Sequence, residues 1–198
     1  MVSPLIILIG IVAATTANAV AMDFTPRESY RELEGAHFSE LLFTDGTSEV
    51  SYEPPAGWSY RGEKNMFSLW APEKDQVDAE MAVSDSGGAP VPLDAAGMNV
   101  VRARAAAVLP RGSQQVRMVS EGKGAVMIDG QETYEAIFAY GLSGQTFETS
   151  VTLVFMGDRL MTIQVSAHPN DFAGVYRAFR RSVFSLQWHH AAEPQPKD

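Results

Sequence analysis

Between Thr133 and Ala167 the side chains alternate in character with a period of two, and that pattern dictates much of the fold. Tyr134, Ala136, Phe138 and Tyr140 alternate with Thr133, Glu135, Ile137 and Ala139. Phe147, Thr149, Val151, Leu153 and Phe155 repeat the alternation, and Met161, Ile163, Val165 and Ala167 continue it. Successive strand side chains point to opposite faces, so three such series describe three long strands with one face buried. Leu142-Ser143-Gly144-Gln145 and Gly157-Asp158 supply the short turns that make them an antiparallel meander. A helix follows, capped by Asn170 or Asp171. Its Phe172, Val175, Tyr176, Phe179 and Val183 form one apolar stripe, with Arg177, Arg180 and Arg181 lying mostly off it. That stripe must bury itself, and the open face of the meander is the available surface.

The elements upstream are read from local signals. Thr25-Pro26-Arg27-Glu28 has the form of a capped helix start, which predicts a short helix from Pro26 to about Glu34, stopped by Gly35. His37 to Phe43 and Ser48 to Glu53 read as strands joined through the Asp45-Gly46 turn. Pro54-Pro55-Ala56-Gly57 makes a rigid corner before Trp58, whose ring is expected to pack between that corner and the sheet. Met66 to Ala71 and Ala79 to Ser84 are further strands, and Ser86 to Pro90 is a loop. Asp94 then caps a helix closed by Pro110-Arg111-Gly112, with Met98, Val101, Ala105, Val108 and Leu109 on one face. The fold class is therefore α+β, an antiparallel sheet flanked by helices on both faces.

The N-terminus sets the compartment. Leu5 to Ala14 is an apolar run broken only by Gly10, and Ala17-Asn18-Ala19 fits the small-x-small rule for signal peptidase. The run suits a signal peptide cleaved after Ala19 better than a spanning helix of roughly twenty residues, although no Lys or Arg precedes it. The alternative is an uncleaved membrane anchor. Residues 1–19 are thus read as signal peptide, 20–188 as one domain, and 189–198 as a disordered tail. An exported chain without cysteine has no disulfides, so its core must carry the stability, and thiol catalysis and thiolate zinc sites are excluded. Fifteen of the 24 acidic residues but only five of the 15 basic ones fall in residues 1–94, within a net charge of −9. Such a chain has no basic stripe for nucleic acid and is not suited to anionic lipid.

No complete catalytic constellation is visible. Ser84-Asp85-Ser86-Gly87-Gly88-Ala89-Pro90 resembles the surroundings of the nucleophilic serine in chymotrypsin-type proteases. Only His37 precedes Ser86, without that family's surrounding motif, so the string reads as an exposed polar turn. Gly141 to Gly144 and Gly122-Lys123-Gly124 are turn sequences too short for a nucleophile elbow or a phosphate loop. His168 and Asp171 have a helical metal-ligand spacing, but Pro169 breaks it, Asp171 is explained by capping, and further ligands are missing. His189-His190 in a tail makes no defined metal site. Asp78 and Glu80 share one face of a strand as ordinary acidic surface, and glycoside chemistry needs opposed carboxyls that a sequence cannot show. No catalytic, cofactor or metal residue is therefore assigned, and no cofactor is expected.

At Tyr52-Glu53-Pro54-Pro55-Ala56-Gly57-Trp58 the chain resembles the PsbP-like family, which extends to DcrB-like bacterial members. Gly157-Asp158-Arg159-Leu160 leading into a strand, then a helix and Ser182-Val183-Phe184, is the second match, and the similarity runs from about Val50 to Trp188. The resemblance implies an antiparallel sheet with helices on both faces and a binding, adaptor or chaperone-like role. No residue matches the proposed metal ligands of the photosynthetic members, so manganese or calcium retention is not carried over. The expectation is a non-enzymatic binding or adaptor protein of the cell envelope whose partner is another protein. The alternatives are a small hydrolase with a scattered site, or a structural envelope protein held by an uncut N-terminal helix.

Overall fold

The computed structural model describes residues 22–33, 36–72, 77–85, 91, 93–123 and 127–189. The leader and its cleavage point, Ser86 with the rest of its loop, and residues 190–198 lie outside the described residues.

Eleven strands among the described residues form two antiparallel sheets. Strands β1 (Asp23–Leu33), β2 (Ala36–Asp45), β3 (Ser48–Tyr52) and β11 (Gln187–His189) make a four-stranded sheet in the order β1-β2-β3-β11. Strands β4 (Ser59–Glu63), β5 (Met66–Trp70), β6 (Asp78–Asp85), β7 (Gln114–Lys123), β8 (Thr133–Leu142), β9 (Gln145–Met156) and β10 (Arg159–Ala167) make a seven-stranded one in the order β4-β5-β6-β10-β9-β8-β7. The two helices are α1 (Met98–Ala107) and α2 (Pro169–Val183). The expected meander is β8-β9-β10, with β7 added to one side and β6 to the other. Its turns are tight because Gly144 and Gly157 adopt φ of 80° and 64°, a region in which only glycine is unstrained.

Most of the large core lies between the sheets. Phe24, Phe43, Val50 and Tyr52 of the small sheet meet Phe67, Leu69, Met81, Ile163 and Val165 of the large one, and α2 adds Phe172, Val175, Phe179 and Val183. The sheets approach closely at Gly62 of β4, where a Cβ would sit 2.0 Å from the Phe24 carbonyl oxygen. Val101 and Ala105 of α1 join a second cluster with Tyr134, Ala136, Phe138, Val151 and Leu153. A single sheet between helical layers is therefore too simple a description, because a second sheet shares the α2 side.

The main correction falls on the segment expected as a helix from Pro26 to about Glu34: its described residues, 26–33, lie in the edge strand β1, paired with β2 from Arg27↔Leu42 to Leu33↔Ala36. Pro26 sits in the register irregularity between Asp23 and Arg27, where its missing N–H interrupts no regular ladder. The Thr25 amide is taken by Asp23 Oδ1 at 2.9 Å, so the apparent capping sequence starts a strand instead. Other corrections are smaller. Helix α1 begins at Met98, after a turn in which Asp94 Oδ1 accepts from the amides of Ala96 and Gly97 at 3.0 and 2.9 Å. Helix α2 is capped by His168, not Asn170 or Asp171. Pro169 occupies its first turn, and Pro forces the preceding residue to extended geometry, here φ −61° and ψ 143°. His189, assigned to the tail, pairs with Glu49 in β11.

Candidate binding cleft

The side of the large sheet that carries α1 is only partly covered, because this ten-residue helix contacts β8 and β9. Beside it lies an open cleft of about 640 Å³, within the range of small-molecule sites. Its floor follows from register. One cross-strand row runs Ser68↔Glu80↔Gln164, and the next runs Trp70↔Asp78↔Ser166↔Thr149. Residues at equal register on neighbouring strands share a face, so the rows place three hydroxyls, an amide, an indole and two carboxylates side by side. Val108 and Pro110, just past α1, form one wall with Leu142 and Ser143 of the β8–β9 turn. Phe147 forms another and stacks on Tyr140 at 5.9 Å between ring centroids.

Two features distinguish this floor from an ordinary solvated sheet face. Trp70 is 40% exposed and leaves its indole at the cleft, although a ring of that size stabilises the fold only when covered. A hydroxyl chain leads from the interior to the cleft: Tyr140 OH lies 3.1 Å from Thr149 Oγ1, which lies 2.6 Å from Ser166 Oγ. Thr149 is fully buried, so these contacts satisfy a group that would otherwise be costly to bury. Among the described residues lining the cleft, none is Lys, Arg or His.

Above the α1 end of the same sheet side, Arg102 binds Glu121 through two hydrogen bonds of 2.8 and 2.6 Å, and the Tyr134 hydroxyl donates to the same carboxylate at 2.8 Å. Those bonds, that from Arg102 first, hold the Glu121 carboxyl down at about 2, while burial raises the Tyr134 phenol. This cluster ties α1 to β7 and β8 and leaves no group free to react.

The residues weighed from sequence fall in different places. Asp78 and Glu80 are brought together, and both line the cleft. They project from one strand, not from opposite sides of a substrate, so the opposed geometry of glycoside hydrolysis is missing. His168 is engaged in capping, its Nδ1 accepting from the Asn170 amide at 3.4 Å. No group of three or more potential metal ligands occurs among the described residues. Trp58 stacks on Phe179 of α2, 6.1 Å apart and nearly parallel, and is half-buried against the main core. A serine–histidine contact not foreseen from sequence joins Ser51 Oγ and His189 Nε2 at 2.8 Å. It spans β3 and β11 beside the Ser51↔Gln187 pair, in none of the clefts described, and Ser51 is itself buried. A nucleophile needs access to substrate and an oxyanion site, so this contact reads as a cross-strand tie.

Trp70, Ser68, Gln164 and Ser166 were not singled out from sequence. The available signal was a large aromatic, Trp70, two residues from Ser68 and so on the same face of its strand; its pairing with Asp78 is set by the sheet and is not visible in that stretch.

No protein-family model matches the chain, and no curated protein matches it. Solved structures do resemble it in fold. LpqN of Mycobacterium tuberculosis, described as involved in cell envelope biogenesis, matches with a TM-score of 0.54 at 8% identity, covering 82% of this chain and 91% of LpqN. CyanoP, the cyanobacterial PsbP of Synechocystis, matches at 0.47 with 10% identity over 90% of this chain and 99% of its own. A Pseudomonas aeruginosa protein of unknown function, a putative regulator, matches at 0.46 with 11% identity over 86% and 99%. At these identities the likeness concerns fold alone, and the LpqN match carries it. No helix among the described residues is long and apolar enough to cross a membrane.

Proposed function

We propose that this chain is an exported, non-enzymatic binding protein of the cell envelope, of PsbP-like architecture, which holds its ligand or partner in the cleft beside α1. The observation that carries the reading is the cleft itself: a large concave surface with an exposed indole, a polar floor and no imidazole or paired nucleophile among its described lining residues. Such a surface can recognise, and its described side chains include no nucleophile paired with a base. The envelope assignment is supported by the leader-like N-terminus and by the fold shared with LpqN, whose description names that process.

The test is affinity capture from native envelope extract with the wild type and with Ser68→Trp, whose added indole obstructs the cleft floor beside Glu80 while circular dichroism reports an intact fold. Material held by the wild type and lost by the variant is the expected result. Equal capture by both would place binding elsewhere, and ester, peptide or glycoside turnover abolished by Ser68→Trp would make the chain an enzyme. Intact mass of the exported protein is expected to begin at Val20; retention of Met1 on membrane-bound material would restore the anchor.

A further inference from the structure

We infer that the cleft is a site for a flexible aliphatic amine carrying two ammonium groups, an inference that rests on the cleft being the binding surface. Three observations converge on that chemistry. The first is charge balance. Asp78 and Glu80 enter the cleft from alternate positions of β6, and its described lining contains no cation. A bound anion would meet two carboxylates with no cation among the described lining residues to offset them, whereas an ammonium group balances their charge and donates to both. The second is the indole. Trp70 is the direct cross-strand partner of Asp78, so its exposed face stands beside the carboxylate, and a cation there is held by ion pairing and by the ring together. The third is the spread of acceptors. Positions two apart on a strand are separated by about 7 Å, a span that suits ammonium groups joined by a three- or four-carbon spacer. Ser68 and Gln164 flank Glu80, and Ser166 flanks Asp78, so each carboxylate has neutral oxygen acceptors beside it for the remaining N–H groups. Val108, Pro110 and Phe147 provide apolar wall for the methylene chain.

The same ammonium chemistry is found in free polyamines and in lysine side chains of a partner protein, and the two are separated by probe. Spermidine and a terminally blocked Lys-Lys peptide are titrated calorimetrically into the full chain at 150 mM salt. The salt suppresses diffuse attraction to an acidic surface. Saturable one-site binding is expected for at least one probe, weakened about tenfold by Glu80→Gln and by Asp78→Asn, and abolished by Ser68→Trp. Stronger binding of spermidine assigns the site to a free amine, and stronger binding of the peptide assigns it to a protein partner. Heat that survives unchanged in all three variants would mean counter-ion association only and would overturn the inference. Binding of a neutral disaccharide such as cellobiose, lost in Ser68→Trp, with no binding of either amine, would also overturn it while leaving the cleft as the binding surface. If no probe binds and Ser68→Trp captures envelope material as well as the wild type does, both readings fall.

Discussion

The two sheets are joined at one end by a buried ion pair whose removal has a calculable cost. Asp45, the last residue of β2, binds both terminal nitrogens of Arg159 at the start of β10, the Nη2 bond being 2.9 Å, and accepts from Trp188 Nε1 of β11 at 2.9 Å. The side chains of Arg159 and Asp45 are 20% and 6% exposed, so the pair is largely out of water. Asp45→Ala strands a guanidinium and an indole N–H, and removing one member of a buried pair costs about 3–5 kcal/mol. Because Arg159 keeps some access to solvent, the lower end applies, about 3 kcal/mol. That corresponds to a fall in Tm of about 6–12 °C for a domain of this size.

The acid dependence of the same pair has a definite sign. Burial raises the Asp45 carboxyl, but the hydrogen bonds from Arg159 and Trp188 outweigh it and leave it below the ordinary aspartate range. A carboxyl depressed in the folded state stabilises fully above its unfolded value and loses that contribution as pH falls through the folded one. Urea denaturation at pH 7 should therefore show the midpoint drop with an unchanged slope, and the gap between wild type and Asp45→Ala should narrow as pH falls below about 4. A double-mutant cycle with Arg159→Met should return a coupling of about 1.5 kcal/mol or more. A loss below about 1 kcal/mol at pH 7, or a gap that widens in acid, would refute the reasoning.

Three further outcomes can be checked by the same denaturation assay. Gly62→Ala should cost at least about 2 kcal/mol, since its Cβ meets backbone 2.0 Å away that cannot move without parting β1 from β4; an unchanged midpoint would mean that this contact is loose. Trp58→Ala should cost about 2–3 kcal/mol, less than for a fully buried aromatic, because the ring is half-covered by Phe179. No loss of stability would make Trp58 a surface feature and a place to look for binding. Glu121→Gln should flatten the acid limb between pH 4.5 and about 2, the interval over which the native carboxylate stays charged while its unfolded form is neutralised. The effect is small because Arg102 is exposed to solvent, and it should shrink further in high salt.

Much of the large sheet was legible because the period of β8, β9 and β10 matches a ladder with one apolar side, and the stripe on α2 has one surface to cover. What failed was decided by pairing at a distance. Thr25-Pro26-Arg27-Glu28 satisfies every local rule for a helix start, yet residues 27–33 gain a full ladder to β2, and ladder bonds outweigh a single cap. Strand β4 was missed for a related reason: Ser59, Arg61 and Glu63 are exposed on an edge strand, so its alternation rests on Tyr60 and Gly62 alone. The cleft was legible only in part. The acids at 78 and 80 were visible as a same-face pair, but their register with Ser68, Trp70, Gln164 and Ser166 is a property of four strands and appears in no single stretch.

The position of the cleft follows from one row across the sheet. From β8 to β5 on the α1 side, the row reads Ala136, Val151, Gln164, Glu80 and Ser68. Its apolar half needs cover and receives α1, whose Val101 and Ala105 are fully buried there. The polar half is soluble as it stands, so nothing in folding requires a longer helix, and the chain turns away at Pro110 with the sheet still extending beneath it. On β5, β6 and β10 the opposite face is apolar, with Phe67, Leu69, Ala79, Met81, Ile163 and Val165 buried, which anchors the uncovered half of the row against the main core. A rigid floor, a wall where the helix stops and a change of polarity at their junction thus arise from the folding pattern alone. Trp70 does not. Its ring is more exposed than that of Trp58 and joins neither core cluster, so substituting it should separate the two roles of this face: Trp70→Ser should cost less than Trp58→Ala, about 1 kcal/mol, while weakening whatever the cleft holds. A large loss of stability would mean that the ring belongs to the core and that the cleft has no aromatic of its own.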